Sequence, residues 1–203
     1  RVHGSIEAFS YYLGVYNGQS VATGRMGADM DSYLLNASVG LQAGRLMNNG
    51  MRLDFRGDFL HSTDETGYYA FENAFAISAR FGIEQFDLRA EFMNGTSHDD
   101  QAVSGFYVMP SYFIVPGNLQ AVLRYENASA DTGVAIGHNR YADRVPSIYR
   151  AGEDYFAVYA GVNYYVFGDN LKFMLGAELA ENSGPGNESG QAITVVSGFR
   201  MQF

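Results

Sequence analysis

Apolar and polar side chains alternate over segments of about ten residues along most of the chain, and this pattern restricts the possible folds more than any other feature. The clearest segment is residues 51–59, MRLDFRGDF, in which every second residue is charged. A helix would spread Arg52, Asp54 and Arg56 around its surface, whereas a strand puts all three on one face. The segment therefore predicts a strand with one charged face and one apolar face.

Eleven such segments predict an all-β protein, with strands at about 1–6, 9–17, 33–45, 51–61, 70–82, 86–96, 104–115, 119–129, 154–167, 171–182 and 192–203. Turn residues predict tight links at about 7–8, 47–50, 82–85, 116–118 and 168–170. Longer polar loops are expected at about 18–31, 62–69, 95–103, 130–153 and 183–191. Strict alternation of short and long links predicts an antiparallel up-and-down meander, as in transmembrane β-barrels.

Composition limits the environments and partners that this sheet could have. No apolar run approaches the length of a membrane-spanning helix, so the chain would have to cross a bilayer as a closed sheet. The net charge of −9 argues against a nucleic-acid partner, which requires a basic surface. The chain has no cysteine, which is compatible with an oxidising cell envelope.

The last segment, residues 192–203, alternates to its end and finishes on Phe203. It resembles the closing strand of a bacterial outer-membrane barrel. Because single-chain bacterial barrels use even numbers of strands, an odd count implies at least one further strand upstream. We therefore expect residues 1–203 to be the carboxyl-terminal portion of a single barrel domain.

Several segments also resemble, in the same order, motifs of the phosphate-selective porin O/P family. Residues 11–18 (YYLGVYNG) resemble its Y-x-L-G-V-F/Y-N-G strand end, and residues 88–93 (LRAEFM) and 123–126 (LRYE) resemble two later strands. Residues 159–165 (YAGVNYY) and 168–174 (GDNLKFM) resemble its final hairpin. The resemblance implies an outer-membrane barrel of about sixteen strands, usually a homotrimer, that conducts small anions or other small solutes passively.

In such a barrel the charged faces line the pore. The expected pore-lining residues are Arg52, Arg56, Arg80, Arg89, Arg124, Lys172, Arg200, Asp54, Asp58, Asp87, Glu91, Glu126 and Glu178. The resemblance associates phosphate selectivity with an arginine ladder and a lysine ring, supplied mostly by the upstream half. Here cations and carboxylates are interleaved, and neighbouring opposite charges cancel much of each other's field at the pore axis. The sequence thus favours at most a modest anion preference.

The lining arginines have two possible roles. They either pair with carboxylates across strands and brace the wall, or contact solutes directly. Aromatic residues near strand ends, among them Phe113, are expected to form a girdle at the membrane boundary. The alternative is a sugar-stacking surface inside the lumen, which needs inward-facing rings such as Tyr155, Tyr159 and Tyr165.

A local basic cluster, Arg140, Arg144 and Arg150, falls in the loop predicted at 130–153. It suggests contact with lipopolysaccharide or plain solvation, or alternatively solute capture at the mouth or folding of the loop into the pore. An enzyme is not expected, because His61, Ser62 and Asp64 lack a visible supporting partner. No cofactor or metal is predicted, and the acidic loop segment His98–Asp100 is interpreted as solvated. The alternative to a porin is a non-conducting structural or adhesin-type barrel, and the alternative fold is a soluble sandwich.

Overall fold

The computed structural model describes residues 1–17, 33–47, 50–63, 71–131, 136–137, 151–168, 170–184 and 187–202. The strands are β1 Val2–Ile6, β2 Phe9–Asn17, β3 Tyr33–Gln42, β4 Arg52–Ser62, β5 Asn73–Ile83, β6 Phe86–Thr96, β7 Ala102–Val115, β8 Leu119–Ala130, β9 Ile136–Gly137, β10 Ala151–Gly152, β11 Asp154–Phe167, β12 Leu171–Gly184 and β13 Asn187–Met201. One short helix, α1, covers Ala43–Met47. In the part of the chain that the structure describes, no helix is long and apolar enough to cross a membrane.

The strands form one antiparallel sheet of eleven in the order β1-β2-β3-β4-β5-β6-β7-β8-β11-β12-β13. Each of these strands pairs with its neighbour in the chain, except that the link between β8 and β11 contains a separate two-stranded ribbon of β9 and β10. The predicted all-β class and up-and-down meander are therefore confirmed.

Two hairpins explain how short links suffice. Glu7–Ala8 joins β1 to β2, and Glu84–Gln85 joins β5 to β6. The first residue of each turn has a positive φ, 52° at Glu7 and 50° at Glu84. A positive φ there matches the twist of the flanking strands, which is why such turns reverse the chain in two residues.

Several predicted boundaries were wrong. Strand β3 ends at Gln42 instead of continuing to residue 45, because Ala43–Met47 turns into α1. The loop predicted at 183–191 is mostly strand, since β12 runs to Gly184 and β13 starts at Asn187. The link between β6 and β7 is also short, residues 97–101, so the strict alternation of short and long links fails at two of its long positions.

Two local causes shorten these links, and the first is that polar residues can continue a ladder. Glu181 and Asn182 of β12 pair in register with Gln191 and Gly190 of β13. The link between β6 and β7 is short because the Ser97 hydroxyl accepts hydrogen bonds from the backbone N–H of Asp99 and Gln101. Local polar composition alone therefore does not identify a loop.

The two faces of the sheet differ in exposure. On β11, Val158, Val162 and Tyr164 are exposed, whereas Ala157 and Tyr165 on the other face are buried. The large apolar side chains thus point away from the protein, and the polar face is the more crowded one. The polar face is therefore the more enclosed of the two, and the apolar face has no protein partner over the described residues.

A close approach of α1 to β4 gives a test of this end of the sheet. A Cβ at Gly44 would lie only 2.9 Å from the backbone nitrogen of Leu53, and closer still to the carbonyl oxygen of Met51. We expect Gly44→Ala to destabilise the protein by about 1–3 kcal/mol, because backbone atoms cannot move aside as a flexible side chain can.

Chemical denaturation followed by circular dichroism measures this change. The matched control is Gly57→Ala in β4, where the nearest atom to a new Cβ is Val39 Cγ2 at 3.7 Å. We expect the control to be neutral or slightly stabilising. Equal stability of both variants would contradict the packing of α1 on β4.

Candidate functional site

The structure places all thirteen charged residues singled out in the sequence on the polar face. Register shows this directly, since Asp54 pairs with Arg80, Arg80 with Arg89, and, farther along, Arg124 with Tyr159 and Tyr159 with Glu178. The apolar residues expected on the opposite face do lie there: Leu53, Phe55, Phe59, Leu88, Phe92, Leu119, Leu123, Leu171, Phe173, Leu175, Phe199 and Met201. No strand is inverted among these sets.

The arginines of β4 pair with carboxylates two residues along the same strand. Arg56 Nε lies 2.8 Å and 2.9 Å from the two carboxylate oxygens of Asp58, and its Nη2 donates to Asp58 Oδ1 at 2.7 Å. Arg52 Nε is 3.9 Å from Asp54 Oδ2. Residues i and i+2 share a face of a strand, so the alternating Arg/Asp sequence itself supplies each partner.

Asp87 of β6 holds two arginines at once. Arg80 Nε donates to Asp87 Oδ2 at 2.7 Å, and Arg89 Nε donates to Asp87 Oδ1 at 3.0 Å. These two guanidinium groups are neighbours across β5 and β6, where like charges would repel. The shared carboxylate offsets that repulsion, and the side chains line a polar recess of about 350 Å³ that Arg52 and Gln120 also border.

The most buried ion pair on the face joins β8 to β12. Arg124 Nη2 donates to Glu178 Oε2 at 2.8 Å, and the Glu178 side chain is 3 % exposed. Arg124 Nε also lies 2.7 Å from Glu126 Oε1. To reach Glu178, the guanidinium crosses the intervening strand β11 and lies over the ring of Tyr159, 5.7 Å from its centroid. The contact ties three neighbouring strands together.

A network near the tight-link end involves residues that sequence reasoning missed. Gln120 donates to the Ser111 hydroxyl at 3.0 Å, and its Oε1 accepts from Tyr165 at 2.7 Å and from Asn163 at 3.1 Å. Lys172 Nζ lies over the Tyr165 ring, 5.3 Å from its centroid. A search of the sequence for charged residues overlooks these neutral groups. The signal that could have found Gln120 is its spacing, because it lies four residues before Arg124 on the same strand and therefore on the same face.

Tyr155, Tyr159 and Tyr165 do lie on the polar face, as a sugar-stacking surface would require. Their positions do not favour stacking, however. The Arg124 guanidinium lies over the ring of Tyr159, and the Lys172 ammonium lies over the ring of Tyr165, which is 9 % exposed. The Tyr155 hydroxyl donates to Glu126 at 3.2 Å.

Phe113 was wrongly expected at a membrane boundary. It pairs with Gln120 on the polar face, and its ring centroid is 5.5 Å from that of Tyr165.

The charges on the face nearly balance, with seven cations and six carboxylates. Five of the cations, all arginines, pair with these carboxylates within 4.0 Å. Arg200 instead donates to Gln202 at 3.1 Å. Most of these ion pairs, such as Arg56–Asp58, lie within one strand, and only Arg80–Asp87 and Arg124–Glu178 match the cross-strand pairing considered from the sequence.

At the opposite end, the residues considered for catalysis are separated by the strand. His61 lies on the apolar face, where its Nδ1 is 2.9 Å from Asn73 Oδ1, whereas the adjacent Ser62 points the other way and is fully buried. His98 Nδ1 lies 4.0 Å from Glu72 Oε2. Arg140, Arg144, Arg150 and Asp64 lie outside the described residues.

Comparison with models of known protein families finds no match, and comparison with curated proteins finds no related chain.

Removal of Arg124 tests its role as a brace. We expect Arg124→Met to lower the free energy of unfolding by about 3 kcal/mol, because Glu178 would keep a buried charge without its cation. The double variant Arg124→Met, Glu178→Met should recover part of the loss, since it removes the most buried carboxylate and leaves only Glu126, which is 25 % exposed, without Arg124.

Denaturant unfolding of the purified protein provides the measurement. The control is Arg200→Met, an exposed cation of the same face, which should change stability by less than about 0.5 kcal/mol. If the double variant is as unstable as the single one, the contact of Arg124 with Tyr159 matters more than its charge pairing.

Proposed function

We propose that the protein is a porin of the bacterial outer membrane, whose polar face lines a passive, water-filled channel for small solutes. The observation that carries the proposal is the segregation of the sheet, with thirteen charged residues on its crowded face and large apolar side chains exposed on the other. A water-soluble protein would expose the charged face and bury the apolar one, because exposed apolar surface of this extent is costly in solution. Lipid as the outer solvent removes that cost.

The sheet has two open edges that such a channel must close. Among the described strands, β1 pairs only with β2 and β13 only with β12. In a bilayer, unpaired N–H and C=O groups at an edge cost several kcal/mol each, so an open sheet does not span it. We propose that upstream strands of the same chain close the barrel, to about sixteen strands as the resemblance implies.

The pairing of charges supports weak selectivity. Paired arginines hold a strong local field but project little into an aqueous bore, and the face has an excess of one cation. Phosphate or another small anion would then pass with only modest preference. Trimer formation rests on the resemblance, and contact with lipopolysaccharide rests on the basic loop cluster; both are proposals.

Planar-bilayer recording of the purified full-length protein tests the function. We expect open channels with a reversal potential, in a salt gradient, slightly on the anion side. Arg56→Ala should shift it toward cations, because Asp58 loses its partner. Absence of conductance would favour the structural or adhesin-type barrel. Strong phosphate or chloride selectivity that is lost in Arg56→Ala would show that the arginines contact permeating ions.

Cysteine labelling tests which face meets water, and residues 1–203 contain no native cysteine to interfere. We expect Arg56→Cys to react with a charged, membrane-impermeant thiol reagent in reconstituted vesicles. The adjacent Phe55→Cys, on the apolar face and also exposed, should stay unmodified because lipid covers it. Equal labelling of both would support a water-soluble sheet and contradict the membrane proposal.

A further inference from the structure

One region of the polar face carries no unpaired charge. Two adjacent rows of paired residues on this face, which we call rungs, consist largely of small or apolar side chains. The first rung contains Ala76, Met93 and Gly105 of β5 to β7, and the second contains Leu60, Ala74 and Gly95 of β4 to β6. Asp58 lies on the first of these rungs, so they share the face of the charged residues. Glycine and alanine leave the backbone bare there, which creates a recess in the wall.

The recess is a formed pocket with an aromatic wall. Its volume is about 430 Å³, and it extends from Leu60 on β4 to Ala128 on β8. The Phe71 ring lies against Gly95, where a Cβ would come within 2.5 Å of Phe71 Cδ1. Glycine at position 95 is therefore needed for the ring to close one side of the pocket. The volume falls within the range of about 300–1,000 Å³ that is common for small-molecule sites.

Electrostatics define the chemistry of the occupant. Asp58 and Asn36 are the polar side chains of this face at the rim of the pocket. The Asp58 carboxylate is held by three short contacts to Arg56, so it presents little net charge to the pocket. An ion would lose its hydration here without gaining an opposite charge, whereas a neutral ring would lose only unfavourable contact with water.

We propose that this pocket binds a small, neutral, aromatic solute, with the ring against Phe71, Met93 and Leu60 and a polar edge toward Asn36. The volume is large compared with the roughly 150 Å³ of an engineered cavity that holds benzene, so a two-ring compound fits best. Binding depends on the shape of the wall and does not require that the protein conduct.

Indole is a suitable probe, because it is neutral, has two rings, and fluoresces at longer wavelength than the fifteen tyrosines of residues 1–203, which include no tryptophan. The full-length protein is reconstituted in phosphatidylcholine nanodiscs, and the fluorescence anisotropy of indole is titrated. We expect saturable binding at one site per chain. Ala76→Phe fills the recess and should weaken the affinity by about tenfold or more. Ser78→Phe, one rung away on the same face of β5, is the matched control and should bind as the wild type does.

A second variant guards against misfolding. Ala128→Leu fills the recess from β8 and should weaken binding in the same direction. Circular dichroism checks that each variant keeps its strand content. Equal uptake of indole by all proteins would mean partition into lipid and would overturn the proposal, as would the absence of saturable binding by the wild type.

Discussion

The register of the antiparallel ladder is the constraint on which the rest of the structure depends. In a strand the side-chain period is two, so a slip of one residue would move every charge of that strand to the apolar face. The observed pairing keeps one parity across the charged stretches of the strands, with Ser38 opposite Asp58 and Lys172 opposite Arg200. Irregularities shift the register near the ends of β7, β11 and β12, beyond these stretches. The charged residues of distant segments therefore meet on one surface and the apolar residues on the other.

Charge pairing on that surface follows from two distances within the ladder. Residues two apart on one strand give the Arg56–Asp58 pair, and residues on neighbouring strands give Arg80–Asp87. Arg124 goes farther, since its long side chain spans β11 to reach Glu178. A carboxylate as buried as Glu178 is stable only with such a partner. In the proposed channel, the groups that join strands at Arg80–Asp87 and Arg124–Glu178 would thus be among those that line the pore.

The sequence predicted the strands and faces well, because the period-two pattern is local and repeated. The Arg52–Asp58 segment needs no tertiary information to show which side chains share a face. It could not predict α1, since Ala43–Met47 turns because of contacts with β4. Nor could it predict that Gly190 and Gln191 lie in a strand, because their pairing with Asn182 and Glu181 depends on the register set by the rest of β12 and β13.

The site was predictable to a similar extent. All thirteen charged residues could be placed on one face, but not the partner of each, because Arg124 could equally have bound only its neighbour Glu126. The apolar pocket was not foreseen, since it is a lack of large side chains at aligned positions, such as Ala76 and Gly105, on separate strands. That small residues of separate strands lie side by side can be recognised only once the register is known.

The order of features along the ladder bears on the proposed channel. The charged rungs lie toward the tight links, where Arg52 is two residues past Gly50, whereas the pocket lies toward the opposite ends of β4–β8. A solute that enters from the side of the pocket therefore meets an apolar surface before the paired charges. In the proposed channel such an order would separate two kinds of selection, because the pocket would sort solutes by shape and hydrophobicity and the charged rungs would sort them by sign. The nearly balanced charges would make the second selection weak, and since charge does not distinguish neutral solutes, the pocket would have to provide the discrimination among them.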